Sequence, residues 1–267
     1  MSKLLNIFTT SITQEFAYRA NFIMWRVRNV LSIFLVFFLW DIVFRDPSRI
    51  LFGYDRGKIM TYVLGLVVVK ALVLSARTVD VSGEISNGNI INLLLRPINI
   101  FKYWATRDIS SKALNLLFAI FEAVFLYLIL KLPFYLQTDP LLIFGFILSV
   151  VLAMAIFFCL MFIVTSITFW APEMAWGAQF LITVVIVEFL SGSLFPLDIF
   201  PSGVQTFLNM TPFPYMIFFP LQIYLGNITG TALIKGIGIS VAWTLMLFLF
   251  MKYIWGRGLK VYQAYGR

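Results

Sequence analysis

Residues 191–226 read SGSLFPLDIFPSGVQTFLNMTPFPYMIFFPLQIYLG, with prolines at 196, 201, 212, 214 and 220 set among Phe, Leu, Ile and Tyr. Proline removes a backbone donor and clashes with the preceding turn, so each of these positions bends or ends a helix. One continuous spanning helix is therefore excluded. The stretch is also too apolar for a water-exposed loop, and it lies between two long apolar runs. Broken backbone at membrane depth is tolerated only where protein or a water-filled cavity shields it. Residues 191–232 thus predict short re-entrant or interfacial helices folded back into one face of a membrane protein.

Composition agrees. The 267 residues are 61% hydrophobic and 12% charged, with mean hydropathy +0.94, far outside the range of soluble domains. The expected fold is an all-α polytopic membrane protein, a single transmembrane domain over residues 1–267. About six spans of ~20 apolar residues fit its length. The apolar runs fall at 29–44, 59–76, 114–132, 141–169, 175–195 and 233–255. They read as helices because a helix satisfies its backbone within lipid, and no period-2 barrel alternation occurs. Ahead of them, Leu4, Leu5, Phe8, Ile12, Phe16, Ala20 and Ile23 recur at helical spacing, opposite Lys3, Asn6, Gln14, Glu15 and Arg19. Residues 1–26 therefore predict an amphipathic interfacial helix, with an extension of the first span as the alternative. No signal peptide is expected, because the first long apolar run starts after Arg28 and no small-residue cleavage site follows.

Several chemistries drop out. The chain has no His and one Cys, which excludes imidazole ligands, Ser-His catalysis and an internal disulfide; no metal site is expected. Cys159, beside Phe157, Phe158 and Leu160, reads as a small buried hydrophobe. The net charge of +8 reflects cations flanking spans rather than a nucleic-acid partner. With six spans both termini share one side, which holds Lys3, Arg19, Arg26, Arg28, Arg77, Arg96, Lys102, Arg107, Lys112, Lys252, Arg257, Lys260 and Arg267. The other side holds Arg45, Arg49, Arg56, Lys58, Lys131 and Lys235. The excess places both termini in the cytoplasm and the proline-broken stretch outside. Trp25, Trp40, Trp170, Trp176 and Trp255 lie near span ends, as an interfacial belt requires.

Between spans two and three, residues 77–112 form the expected cytoplasmic segment. It carries Gly83-Glu84-Ile85-Ser86-Asn87-Gly88-Asn89, then Ile90, Ile91, Leu93, Leu94 and Leu95, closed by Arg96-Pro97. Gly88 and its polar neighbours suit a turn, and Pro97 ends the apolar run. Ile91 and Leu94, three apart, share one helix face. Such an element needs a cover, and composition fits lipid headgroups and a soluble partner equally.

The order of amphipathic helix, two spans, this inner segment and four further spans resembles the permease subunits of type-2 ABC exporters. Ile85, Gly88, Leu94, Leu95, Arg96, Pro97 and Ile98 match that family's segment after the second span. Ser191, Gly192, Pro196, Leu197, Pro201, Pro212, Phe213 and Gly226 match its outer re-entrant pattern. The resemblance implies a bacterial inner-membrane exporter built from two permeases, as a heterodimer or homodimer, and ABC ATPase subunits. The inner loop would then be its coupling element, involving Glu84, Ile85, Gly88, Ile91, Leu94, Leu95, Arg96 and Pro97. ATP and Mg would be bound by the ATPase, and no cofactor by this chain. Consistently, no Gly-x-x-x-x-Gly-Lys-Ser/Thr pattern occurs here, so hydrolysis needs a separate subunit. The competing class is an ion-coupled secondary transporter, which wants carboxylates near the midplane and two related halves.

Three charges fall within spans, where ionised groups are costly and usually paired or functional. Lys70 lies ~10 Å and Glu122 ~14 Å from the inner end at 1.5 Å per residue. These similar depths predict an ion pair, with a substrate contact, other partners or snorkelling as the alternatives. Glu188, just before Ser191-Gly192, is expected to bracket the re-entrant segment by accepting from its exposed N–H groups, with substrate binding as the alternative.

Overall fold

The computed structural model describes residues 3–17, 19–46, 48 and 50–262. Helix α1 covers Lys3–Ala17 and α2 Arg19–Val43. Helix α3 (Arg56–Val73) starts at Asp55, whose side chain accepts from Lys58 N. Two short helices follow, α4 (Asp80–Ser86) and α5 (Ile90–Leu94). Helix α6 (Ile100–Leu130) is capped by Asn99, and α7 (Pro140–Ser166) by Asp139 with Pro140 in its first turn, where a missing N–H costs nothing. Helix α8 (Pro172–Leu190) contains a π-helical stretch, Leu181–Val187. The short helices α9 (Ser202–Asn209) and α10 (Phe218–Tyr224) precede α11 (Gly230–Val261). The described residues form no strand.

Helices α6, α7, α8 and α11 are long and apolar enough to cross a membrane. Helix α3 passes only together with its continuation across Arg77–Ser86, from which it is bent by 45°. The expected first span falls on α2, whose N-terminal half carries Arg26, Arg28 and Asn29. Its apolar part, residues 30–43, is shorter than the ~20 residues a bilayer core requires. The described part of the expected interfacial helix includes Lys3–Ala17. Its half-buried Phe8 and Ile12 and buried Ser11 share one face, and Ser110 Oγ of α6 donates to Phe8 O at 3.0 Å. The expected faces of Lys3, Leu4, Gln14, Glu15, Phe16, Arg19 and Ala20, the belt role of Trp25, and Arg49 and Arg267 lie outside the described residues and side chains.

The core is built on α3 and α7. Ile59, Met60, Tyr62, Leu66 and Val69 point around α3 in several directions and are all buried, so this helix is apolar on every side because protein surrounds it. It packs against α2, α6 and α7, while α7 packs against α11 and α10 as well. Gly236 of α11 lets Phe219 of α10 approach its backbone so closely that a Cβ there would overlap the ring. Cys159 is buried, as read from sequence. The tryptophan belt is only partly realised. Trp170 and Trp176 are exposed, but Trp40 and Trp255 are 4% exposed core residues. Trp255 stacks edge-on with Phe162 and Phe169 at 5.0 Å between centroids, so packing at the helix ends outcompetes the interface.

Candidate functional site

The second span breaks at residues 74–76, and one ion pair from α6 holds both sides of the break. Lys112 Nζ donates to Ser75 O and, at 3.4 Å, to Val73 O. It also lies 3.3 Å from Asp108 Oδ2, while Asp108 Oδ1 accepts from Arg77 N at 2.8 Å. The cation thus meets the carbonyl end of α3 and the carboxylate meets the first N–H of the next turn, the favourable sign at each helix end. Lys112 and Asp108 are 2% and 3% exposed. Within the expected segment 77–112, residues 100–112 are the first turns of α6, and the loop 77–99 precedes that helix.

That loop is fastened to the bundle. Gln179 Nε2 of α8 donates to Ser82 Oγ at 2.6 Å, Asp80 lies 3.5 Å from Arg107, and Tyr262 Oη donates to Ile85 O at 3.4 Å. Val81, Ile85 and Ile90 are buried beneath it. Gly88 joins α4 to α5 with φ +76°, a left-handed turn that favours glycine. Leu94 is 41% and Leu95 78% exposed, and Arg96 and Pro97 are exposed with them. Ile91 and Glu84 are half-buried. Of the expected coupling residues, Ile85 is thus a core residue unavailable to a partner. The free apolar edge is Leu94-Leu95.

At the opposite end, residues 191–229 turn back on the bundle as α9 and α10. Gly192 has φ +84°, and a Cβ there would sit 2.8 Å from both Phe218 Cβ and Tyr62 Oη. Tyr62 Oη donates to Gly192 O at 2.5 Å, and Phe218 N donates to Ser191 O at 2.9 Å. A polar lock joins this segment to α3. Tyr54 Oη donates to Asp198 Oδ2 at 2.6 Å and Gln222 Nε2 to the same oxygen at 2.7 Å. Asn227 Nδ2 donates to Gln222 Oε1 at 2.7 Å, and Lys58 Nζ to Asn227 Oδ1 at 2.9 Å. Burial raises the Asp198 carboxyl above its ordinary value, against the two hydrogen bonds that lower it. Burial, then Asp198, raises Tyr54 far above the usual phenol value. Pro196 and Pro212 are buried, Phe213 is half-buried, and Pro201 is exposed just before α9. Pro220 falls in the first turn of α10, where it does not break the helix.

Within the bundle the charges pair differently from the depth-based expectation. Lys70 Nζ lies 2.5 Å from Glu188 Oε1. Glu122 Oε2 is held by Arg26 Nη1 at 3.0 Å, and Arg26 Nη2 also donates to Asn115 O and Oδ1 at 2.7 and 2.8 Å. Lys70 and Glu122 line one small cavity of about 20 Å3 with Arg26 and Asn29, but they do not form an ion pair among the described residues. Glu188 accordingly anchors α8 to α3 instead of bracketing the re-entrant backbone. Among the described residues, no cluster of metal-ligating side chains occurs.

A family model described as ABC-2 family transporter protein matches residues 30–266. The chain belongs to the ABC-2 transporter family. No curated protein and no solved structure matches it. As an ABC-2 permease it is a multi-pass membrane component of a transporter, and membership implies ABC ATPase subunits as partners, with hydrolysis on those subunits.

In this ABC-2 permease, Arg26, Asp108, Lys112, Tyr54, Asp198 and Gln222 carry the polar structure that sequence reading passes over. Arg26 and Lys112 look like ordinary flanking cations. Asp108 and Lys112 do carry a signal, their i,i+4 spacing, which places opposite charges on one helix face.

Proposed function

We propose that this chain is a permease subunit of an ATP-driven exporter. It forms the translocation path with a second permease, and separate ATPase subunits that bind ATP and Mg drive it. Its cargo is hydrophobic or amphipathic, and it sits in a bacterial inner membrane with both termini cytoplasmic. The observation that carries this reading is the exposed Leu94-Leu95 edge on a loop clamped to a bent span. Force applied there reaches α3 through the Lys112–Asp108 pair instead of dissipating in a flexible loop. A second permease is supported by α8, whose apolar window is only 6% buried within the chain. Ion coupling is disfavoured because Glu122 and Glu188 already face cations at ion-pair distance.

The test is recovery of the ATPase with the purified permease. Leu94→Asp/Leu95→Asp should insert normally yet lose the ATPase, because a desolvated carboxylate at an apolar contact is strongly unfavourable. Undiminished recovery at equal expression would contradict the coupling role. The pair Ile91→Asp/Leu94→Asp should act similarly but with some loss of stability, since Ile91 is half-buried.

A further inference from the structure

An apolar groove of about 550 Å3 runs between α3, α6, α7 and α10. Its walls include Thr61, Gly65 and Val68 of α3, Ala123 and Tyr127 of α6, and Leu221 of α10. This volume falls in the range of small-molecule sites, ~300–1,000 Å3. The rim belongs to the bilayer-facing side of α6: Val124 and Tyr127 are exposed there beside exposed Phe121, Phe125 and Leu128. An occupant therefore enters from hydrocarbon and not from the bundle interior.

The chemistry at the mouth selects among lipids. Lys58 lies one turn beyond Thr61, and Lys131 one turn beyond Tyr127, so each cation sits at the end of a groove wall. Lys58 Nζ bonds the neutral Asn227 and lies 6.0 Å from the centre of the Tyr135 ring. Tyr135 N in turn donates to Thr61 Oγ1 at 2.7 Å, which fixes the linker of residues 131–139 over the groove end. Lys131 is exposed and, among the described residues, has no ion-pair partner. Asp55 accepts from the backbone N–H of Lys58 and forms no ion pair with its Nζ among the described residues, while Asp139 caps Leu141 N and Asp41 pairs with Arg56 at 2.8 Å. Two cations without carboxylate partners at the mouth of an apolar slot complement a phosphate on an acyl chain.

We propose that this groove binds an anionic glycerophospholipid, with one acyl chain along Thr61–Val68 and the phosphate between Lys58 and Lys131. This rests on the chain spanning a membrane, not on ATPase coupling, so either reading can fail alone. The experiment uses the full permease in nanodiscs, with phosphatidylglycerol and phosphatidylcholine as probes. Retention is read by native mass spectrometry, and position by a diazirine on the acyl chain. Wild type should retain phosphatidylglycerol roughly tenfold over phosphatidylcholine, as one or two charge-assisted contacts allow. Lys58→Gln/Lys131→Gln should reduce phosphatidylglycerol to the phosphatidylcholine level. Val68→Phe/Ala123→Phe should remove the diazirine adduct from α3 and α6. Equal retention of the two lipids, or adducts unchanged in a folded, filled variant, would overturn the proposal. So would cross-linking that shows a second permease covering the groove. Should the filled variant not fold, the charge variant decides, because its changes leave the packed core intact.

Discussion

Removing one member of an intramembrane pair tests the packing most sharply, because sequence depth and structure assign different partners. At 2.5–3.0 Å and an effective dielectric of ~20, each attraction is about 6 kcal/mol before desolvation. Lys70 and Glu188 are 16% and 21% exposed at the side chain, and Arg26 and Glu122 are 8% and 17% exposed, so solvent screening is slight. Lys70→Met or Glu188→Gln alone strands a buried partner and should cost about 3–5 kcal/mol. The double change should cost less than the sum, giving a coupling of about 2–3 kcal/mol. The same holds for Arg26→Met with Glu122→Gln, where Asn115 O and Oδ1 also lose the guanidinium that donates to them. The Lys70/Glu122 cycle should give less than about 1 kcal/mol, since the two share only a small cavity wall. Reversible unfolding in mixed micelles supplies the free energies. A Lys70/Glu122 coupling larger than both of the others would refute the arrangement.

Asp108→Asn with Lys112→Met should unclamp the second span. ATPase binding should persist while ATP-driven transport falls, measured by co-purification and by flux in the same preparation. Gly192→Ala should lower stability by ~2 kcal/mol or more, because the left-handed backbone and the contacts with Phe218 and Tyr62 leave no room for a Cβ; thermal unfolding in detergent reads this. Asp198 supplies a pH dependence. Its folded pKa is raised, so its contribution is full below the unfolded value of ~3.9 and is lost as pH rises through the folded value. The difference in unfolding temperature between wild type and Asp198→Asn should therefore shift against wild type as pH rises above about 4, and a pH-independent difference would contradict it. Impermeant maleimide should label Ser202→Cys but not Leu95→Cys in intact cells carrying Cys159→Ser, and the reverse would invert the orientation.

The all-helical membrane class was legible because composition and proline spacing are local signals that no packing detail can reverse. The re-entrant segment follows from five prolines in an apolar stretch, and the structure resolves it into α9 and α10. Partners were less legible. Depth along a helix comes from counting residues, but pairing also requires the helix rotation and the neighbour, which only packing sets. Hence Lys70 meets Glu188, three candidate spans later in the chain, and not Glu122. The same limit hides Arg26: counted along the sequence it is one more inner-flank cation, yet the fold brings it to Glu122 and Asn115 of α6. Ile85 and Leu95 illustrate the point within one loop, since both are apolar and only the fold turns one inward and leaves the other bare.

What covers that bare edge decides the account. A photo-crosslinking side chain at Leu95, in the permease co-expressed with its ATPase, reads the cover directly. The account predicts a single prominent adduct with the ATPase subunit, lost when Leu94 is replaced by Asp. Adducts with lipid alone, while the ATPase remains bound, would contradict it.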